Sequence, residues 1–240
     1  MPDDRICGLN AVTALFAHRP ADVNRLYYTE AMKHAAGPLC ATMARQHRPY
    51  RMLPEDEMEK AAGTVHHGGI CALSLPRAVP LIDWQAPPRH RLMLVLDGIG
   101  NPHNLGAIAR SAAFFGAGAL LLHDVPGAAM PSDAAYRVAE GGMEHLEVLR
   151  TRDLRGTLLA LDRHYRTVAA ALSDDAMPVE RLPRDRPVAL VLGHEERGLS
   201  QEALHACRRQ VRIERRCGGE AAVQSLNVAQ AAAVLLFALS

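Results

Sequence analysis

From Arg91 onward the chain is punctuated by short continuous apolar runs: Leu92 to Leu96, Ala119 to Leu122, Thr157 to Leu161 and Val188 to Leu192. Runs of this length without alternation suit strands buried on both faces of a parallel sheet. Helical spacing separates them, most clearly over Leu105 to Phe115 and Ser200 to Cys207, so residues 91–240 predict a doubly wound α/β domain. The chain closes on an apolar, alanine-rich helix over Leu226 to Leu239, whose burial needs the sheet or a second subunit. The first 75 residues read differently. Helical patterns over Gly8 to His18, Ala31 to Arg45 and Glu55 to Ala62 alternate with strands over Val23 to Tyr28, near Tyr50 to Leu53 and over Gly69 to Leu75, which predicts a small α/β unit. Prolines at 76, 80, 87 and 88 break every period between Pro76 and His90. A semi-rigid linker over 76–90 is therefore expected between a unit at 1–75 and one at 91–240.

Composition changes this picture little. With 240 residues, 49% of them hydrophobic, the chain can bury a substantial core. No run of about 18 apolar residues occurs, and the opening Met1-Pro2-Asp3-Asp4-Arg5 lacks the basic and apolar order of a signal peptide. A cytoplasmic protein with no membrane association is the expectation. Five scattered cysteines without a Cys-x-x-Cys pair read as reduced thiols. A net charge of +1 gives no overall attraction to nucleic acid, so any such binding must lie in local clusters. Two exist: Arg45, His47, Arg48 and Arg51 around Tyr50, and Arg208, Arg209, Arg212, Arg215 and Arg216. Arginine's planar fork suits phosphate and base stacking, although solvated surface would account for the same residues.

Three segments that directly follow, or lie just beyond, predicted strands carry the unusual residues, and the carboxyl ends of parallel strands are where such sheets bind ligands. The first runs Asp97-Gly-Ile-Gly-Asn-Pro-His-Asn104-Leu-Gly106-Ala-Ile-Ala-Arg110. Asn104 is a natural N-cap, which would leave free helix N–H groups for a phosphate or carboxylate; a plain cap and a surface arginine would read the same. The second is Leu192-Gly193-His194-Glu195-Glu196-Arg197-Gly198-Leu199, where Gly193 allows close backbone approach and Glu195 can accept from an arginine or hydroxyl. The third spans Val211 to Val228 and contains Ile213 and Ser225-Leu226-Asn227, with Ser225 able to cap the last helix.

Together these segments resemble the SpoU-type branch of the SPOUT RNA methyltransferases: Asp-Gly, then Asn-Pro-His-Asn-Leu-Gly-Ala and Arg110; Leu-Gly-x-Glu-x-x-Gly-Leu; and Ser-Leu-Asn-Val. Residues 1–75 resemble more loosely the small RNA-binding domain preceding the catalytic one, with His66-His67-Gly68-Gly69-Ile70 at its close. The resemblance implies a C-terminal trefoil knot, a homodimer, and S-adenosylmethionine held by Gly193, Ile213 and Leu226 through backbone groups. It places Asn104, Arg110, Glu195, Ser225 and Asn227 on a catalytic surface that methylates a ribose 2′-hydroxyl of a structured RNA, ribosomal before transfer RNA. Since arginine stays protonated at ordinary pH, Arg110 is expected to bind the adjacent phosphate and stabilise the developing oxyanion, oriented by Asn104 and Glu195. One departure stands out. The family's Ile-Pro is Ile213-Glu214 here, and the stretch to Ser225 is longer by a few residues.

Other chemistries fit poorly. Gly98-Ile-Gly100 is followed by Asn-Pro-His, so the dinucleotide fingerprint fails. No Gly-x-Ser-x-Gly elbow exists, and the twelve histidines show no ligand spacing, so no metal is expected. The remaining alternative is a non-catalytic RNA-binding protein on the same fold with a degenerate cofactor pocket.

Overall fold

The computed structural model describes residues 3–173, 175–214 and 225–240. It holds two sheets. The smaller is built by β1 (Asp4–Cys7), β2 (Val23–Tyr28), β3 (Tyr50–Met52) and β4 (Ile70–Ser74), in the order β1-β4-β2-β3, with α1 (Leu9–His18), α2 (Lys33–Arg45) and α3 (Glu55–Ala62) between strands. The larger is a parallel sheet of β5 (Leu92–Asp97), β6 (Ala119–His123), β7 (Glu147–Thr151), β8 (Arg166–Ala170), β9 (Met177–Pro178), β10 (Val188–Gly193) and β11 (Arg209–Arg212). Its order is β7-β6-β5-β10-β8-β11-β9. The helices are α4 (Pro102–Phe114), α5 (Asp133–Ala139), α6 (Leu154–Leu161), α7 (Gln201–Ala206) and α8 (Val228–Leu239).

The unbroken apolar strands bury both faces. Leu92, Leu94, Leu96, Leu190 and Leu192 pack toward α4, α5 and α8, while Met93, Val95, Ala189 and Val191 pack toward α6 and α7. The first of these cores continues without interruption into the small sheet through Ile6, Val12, Leu15 and Leu26. Chain 76–90 is not a free spacer either. Ile82 is buried, its N–H donates to the Arg150 carbonyl at 2.9 Å, and Arg150 N–H donates to Pro80 at 2.9 Å. The stretch therefore runs as an edge segment along β7, where prolines are tolerated because one side needs no donors.

Thr157 to Leu161 departs from expectation, lying in α6 instead of a strand. Asp153 caps that helix, its carboxylate accepting from Gly156 N–H at 2.8 Å, and four of its last five residues are leucine or alanine, which suit a helix. The strand expected there is supplied by β8, where the adjacent pair Thr167 and Val168 gives more β-branched character than the single Thr157 of the earlier run.

The close approach of α4 and α5 requires Gly106. A Cβ there would sit 2.4 Å from the Ala135 carbonyl oxygen and 2.9 Å from Val138 Cβ. Gly106→Ala is expected to cost about 2 kcal/mol despite alanine's better helix propensity, since overpacking against backbone outweighs it. Urea unfolding measures this, and an unchanged midpoint would show that the two helices separate freely.

Candidate active site

The carboxyl ends of β5 and β10 lie side by side, with Asp97 opposite Gly193. The sheet's strand order reverses here, β6 and β7 extending one way from β5, and β10, β8, β11 and β9 the other. Open parallel sheets bind their ligands at such a point.

Each loop is held by its own chemistry. At the end of β10 there is no room for a side chain at Gly193, where a Cβ would lie 2.3 Å from Gly198 C and Leu199 N. The loop folds back, His194 and Gly198 exchanging backbone hydrogen bonds of 2.9 Å in both directions. The buried Asp97 carboxylate accepts from Ser200 N–H at 2.7 Å and meets His123 Nδ1 at 3.1 Å. Burial pushes the Asp97 carboxyl up, but His123 and Ser200 outweigh it and hold it below the usual range.

This fold-back sets Glu195 over the start of α4. Its Oε1 accepts from Asn104 Nδ2 at 2.8 Å and Asn101 N–H at 3.2 Å, and its Oε2 from Gly100 N–H at 3.2 Å. Burial opposes the charge, yet these donors lower the carboxyl below its ordinary 4.5. The stabilisation they give is thus present above that value and lost as the pH falls below it. Asn227 completes the line. Its Nδ2 donates to Asn104 Oδ1 at 3.2 Å, while its own Oδ1 caps α8 by accepting from Ala229 N–H at 2.8 Å. One polar chain, Glu195–Asn104–Asn227, therefore joins the three segments singled out from the sequence.

Three details differ from expectation. The cap of α4 is Asn101, accepting from His103 N–H at 2.8 Å, because Pro102 takes the first helical position. Asn104 stands one turn later, so the N–H of Leu105 after it bonds within the helix, to the Asn101 carbonyl at 3.0 Å, while Glu195 of the same chain takes the N–H groups of Gly100 and Asn101 ahead of the helix. Ser225 is exposed and does not cap α8, a role Asn227 holds. Arg110 is not oriented by Asn104 or Glu195. It lies six positions further along α4, about 9 Å by helical rise, and its Nη1 donates to Glu140 Oε1 at 2.8 Å.

Of the remaining positions, Ile213 follows β11 and is partly buried against the core, and Leu226 is exposed before α8. Beside Ile213, Arg212 reaches the Ala176 carbonyl and Glu214. Residues 215–224, including Arg215, Arg216 and the added stretch before Ser225, lie outside the described residues. Sequence reasoning placed Asp97 and Asn101 in the first motif without a role and did not single out His123 or Glu140; the proline after Asn101 was the available signal for its cap. Among the described residues, no cluster of three or more His, Cys, Asp or Glu could hold a metal, and no helix is long and apolar enough to cross a membrane.

Residues 91–237 match the model of the SpoU rRNA Methylase family, and residues 5–77 that of the RNA 2′-O ribose methyltransferase substrate-binding domain. The chain is 32% identical over 236 residues to an uncharacterized tRNA/rRNA methyltransferase, YfiF, of Escherichia coli O157:H7, covering 98% of itself and 67% of that protein. It is 31% identical over 240 residues to the 23S rRNA (guanosine-2′-O-)-methyltransferase RlmB of Ralstonia nicotianae, covering 97% and 93% respectively. In fold it is similar to an rRNA methyltransferase from Sinorhizobium meliloti solved with S-adenosylmethionine bound, with a TM-score of 0.79 at 21% identity over 99% of this chain and 87% of that one. With three motif loops meeting at the switch point and both parts of the chain matched, this protein belongs to the SpoU rRNA methylase family.

Proposed function

We propose that this chain methylates a ribose 2′-hydroxyl of a structured RNA with S-adenosylmethionine, ribosomal RNA in preference to transfer RNA, in the cytoplasm. The carrying observation is the Glu195–Asn104–Asn227 chain at the strand-order reversal. Relatives named as rRNA 2′-O-methyltransferases support the substrate class. Residues 1–75 act as the RNA-binding unit, 76–90 as connector and 91–240 as the catalytic unit, for which we adopt the family's knot. The active form is a homodimer, supported by an exposed apolar face where Phe114, Val234 and Phe237 are 82%, 41% and 71% exposed; a patch of that kind signals an interface.

The residues present fit a bent sulfonium donor. Gly193 admits no Cβ, so backbone lines that edge of the site, and Ile213 and Leu226 stand at the ends of the neighbouring segments with backbone groups and modest apolar surface. When bound, S-adenosylmethionine supplies an electrophilic methyl carbon. The chain's part is placement and charge. Glu195 and Asn227 fix Asn104, and Ser225 adds an exposed hydroxyl beside that pocket. Arg110 binds the phosphate next to the target ribose and stabilises negative charge on the 2′-oxygen, its proton leaving to that phosphate or to water.

Calorimetric titration with S-adenosylmethionine, together with mapping of methylated riboses in cells with and without the protein, tests this reading. Saturable binding and loss of one ribose methylation are expected. An absence of heat at high micromolar donor, with RNA affinity intact, would leave only an RNA-binding protein.

A further inference from the structure

The turn after α5 makes contacts that the reaction scheme does not use. Glu140 has φ 44°, and Gly141 follows at φ 91°. A Cβ on Gly141 would lie 2.9 Å from Ala14 Cβ and 3.0 Å from the Asn10 carbonyl oxygen, both in α1. One on Gly142 would lie 2.8 Å from Arg110 Cα and 3.0 Å from the Ala109 carbonyl oxygen, both in α4. These residues are therefore wedged between a helix of the first unit and the helix that carries Arg110.

The Glu140 carboxylate spans the same gap. Its Oε1 accepts from Arg110 Nη1 at 2.8 Å and its Oε2 from Asn10 Nδ2 at 3.4 Å. A left-handed backbone favours glycine and disfavours a long side chain, so nothing in the turn itself calls for glutamate. What Glu140 adds is an acceptor with one oxygen toward each helix. Arg110 stays 56% exposed, and a guanidinium has five N–H donors. The contact thus aims the group while leaving most of its fork for a ligand.

We infer that Glu140 is a positioning residue for Arg110 and that, through Asn10, it links the seating of the RNA-binding unit to the placement of that guanidinium. This rests on the reading that Arg110 acts on the RNA.

Glu140→Gly separates positioning from structure, because glycine relieves the backbone while removing the carboxylate. Methyl transfer to rRNA from cells lacking the protein is expected to show kcat reduced about tenfold or more, since small misplacements carry effects up to about 10²-fold. KM for RNA, affinity for S-adenosylmethionine and melting temperature should not worsen. Glu140→Gln should restore part of the rate, and Asn10→Ala should lower it less than Glu140→Gly does. In an Arg110→Ala background, Glu140→Gly should cause no further loss. Full kcat in Glu140→Gly, or losses that multiply with Arg110→Ala, would overturn the inference. If the wild-type chain methylates no rRNA, the functional reading fails separately, and the Arg110 Nε–H resonance of the free protein decides the positioning claim. That resonance, assigned by its loss in Arg110→Lys, should stand apart in the wild type and merge with mobile arginines in Glu140→Gly; an unmoved resonance refutes it.

Discussion

Arg110→Ala is expected to slow methyl transfer by about 10²- to 10³-fold, the range found when one preorganised donor to a developing oxyanion is removed. Stability should barely move. The Arg110–Glu140 pair is roughly half exposed at both ends, 56% and 46%, and ion pairs of that kind contribute about 1 kcal/mol or less. Affinity for S-adenosylmethionine should also hold, since Arg110 touches neither Glu195 nor Asn104 and stands about two turns along α4 from the strand-end cluster. Arg110→Lys separates charge from geometry. A lysine keeps the positive charge but not the two parallel donors that fit a phosphate, so most of the loss should persist. Single-turnover transfer of labelled methyl groups to rRNA measures both variants. Near-normal turnover in Arg110→Lys would reduce the role of this residue to simple attraction.

What could be read from the sequence divides along physical lines. The strands at 92–97, 119–123 and 188–193 were legible because burial on both faces leaves continuous apolar runs. The run at 157–161 misled because a buried helix face over five residues looks the same, and the informative signals were the Asp153 cap before it and the β-branched pair after it. Both cap errors share one cause, that two nearby capping residues, Asn101 and Asn104 or Ser225 and Asn227, compete for a single position. Pro102 settles the first in favour of Asn101, whereas nothing local distinguishes Ser225 from Asn227. Asn104, Glu195 and Asn227 were legible as ordered motifs, but their hydrogen bonds to one another arise from the parallel pairing of β5 with β10 and the packing of α8 on α4, which no local pattern encodes. Glu140 was invisible for a related reason. A glutamate in left-handed backbone carries no sequence signature, and its partners lie 30 and 130 positions away.

The same non-local logic governs how the two units stay together. Glu144 follows that turn with a side chain only 2% exposed, and its carboxylate faces two guanidiniums. Arg19, just after α1, donates to it from Nε and Nη2, each at 2.9 Å, and Arg77, in the connector, from Nη1 at 2.8 Å. Arg77 also holds the Leu146 carbonyl at 2.7 Å, and Arg19 holds Asp22 at 3.0 Å. One carboxylate thus fastens the first unit, the connector and the second unit. Burial presses the Arg19 guanidinium toward losing its proton, but Glu144 more than reverses this and raises it above the ordinary arginine range. Titration of Arg19 itself therefore removes this stabilisation only above the ordinary arginine range, and below that range it holds wherever the Glu144 carboxylate is charged. Glu144→Ala leaves Arg19 and Arg77, 14% and 12% exposed, as adjacent charges with no carboxylate between them. Removing one member of a buried pair costs about 3–5 kcal/mol because the partner charge stays desolvated. At roughly 2–4 °C per kcal/mol for a chain of this size, melting should fall by about 10 °C. Glu144→Gln, which keeps the shape and some hydrogen bonds, should lose less. Calorimetry of the two variants checks both values. If Glu144→Ala melts within about 2 °C of the wild type, water reaches both arginines once the carboxylate is gone, and the shared apolar core alone joins the units.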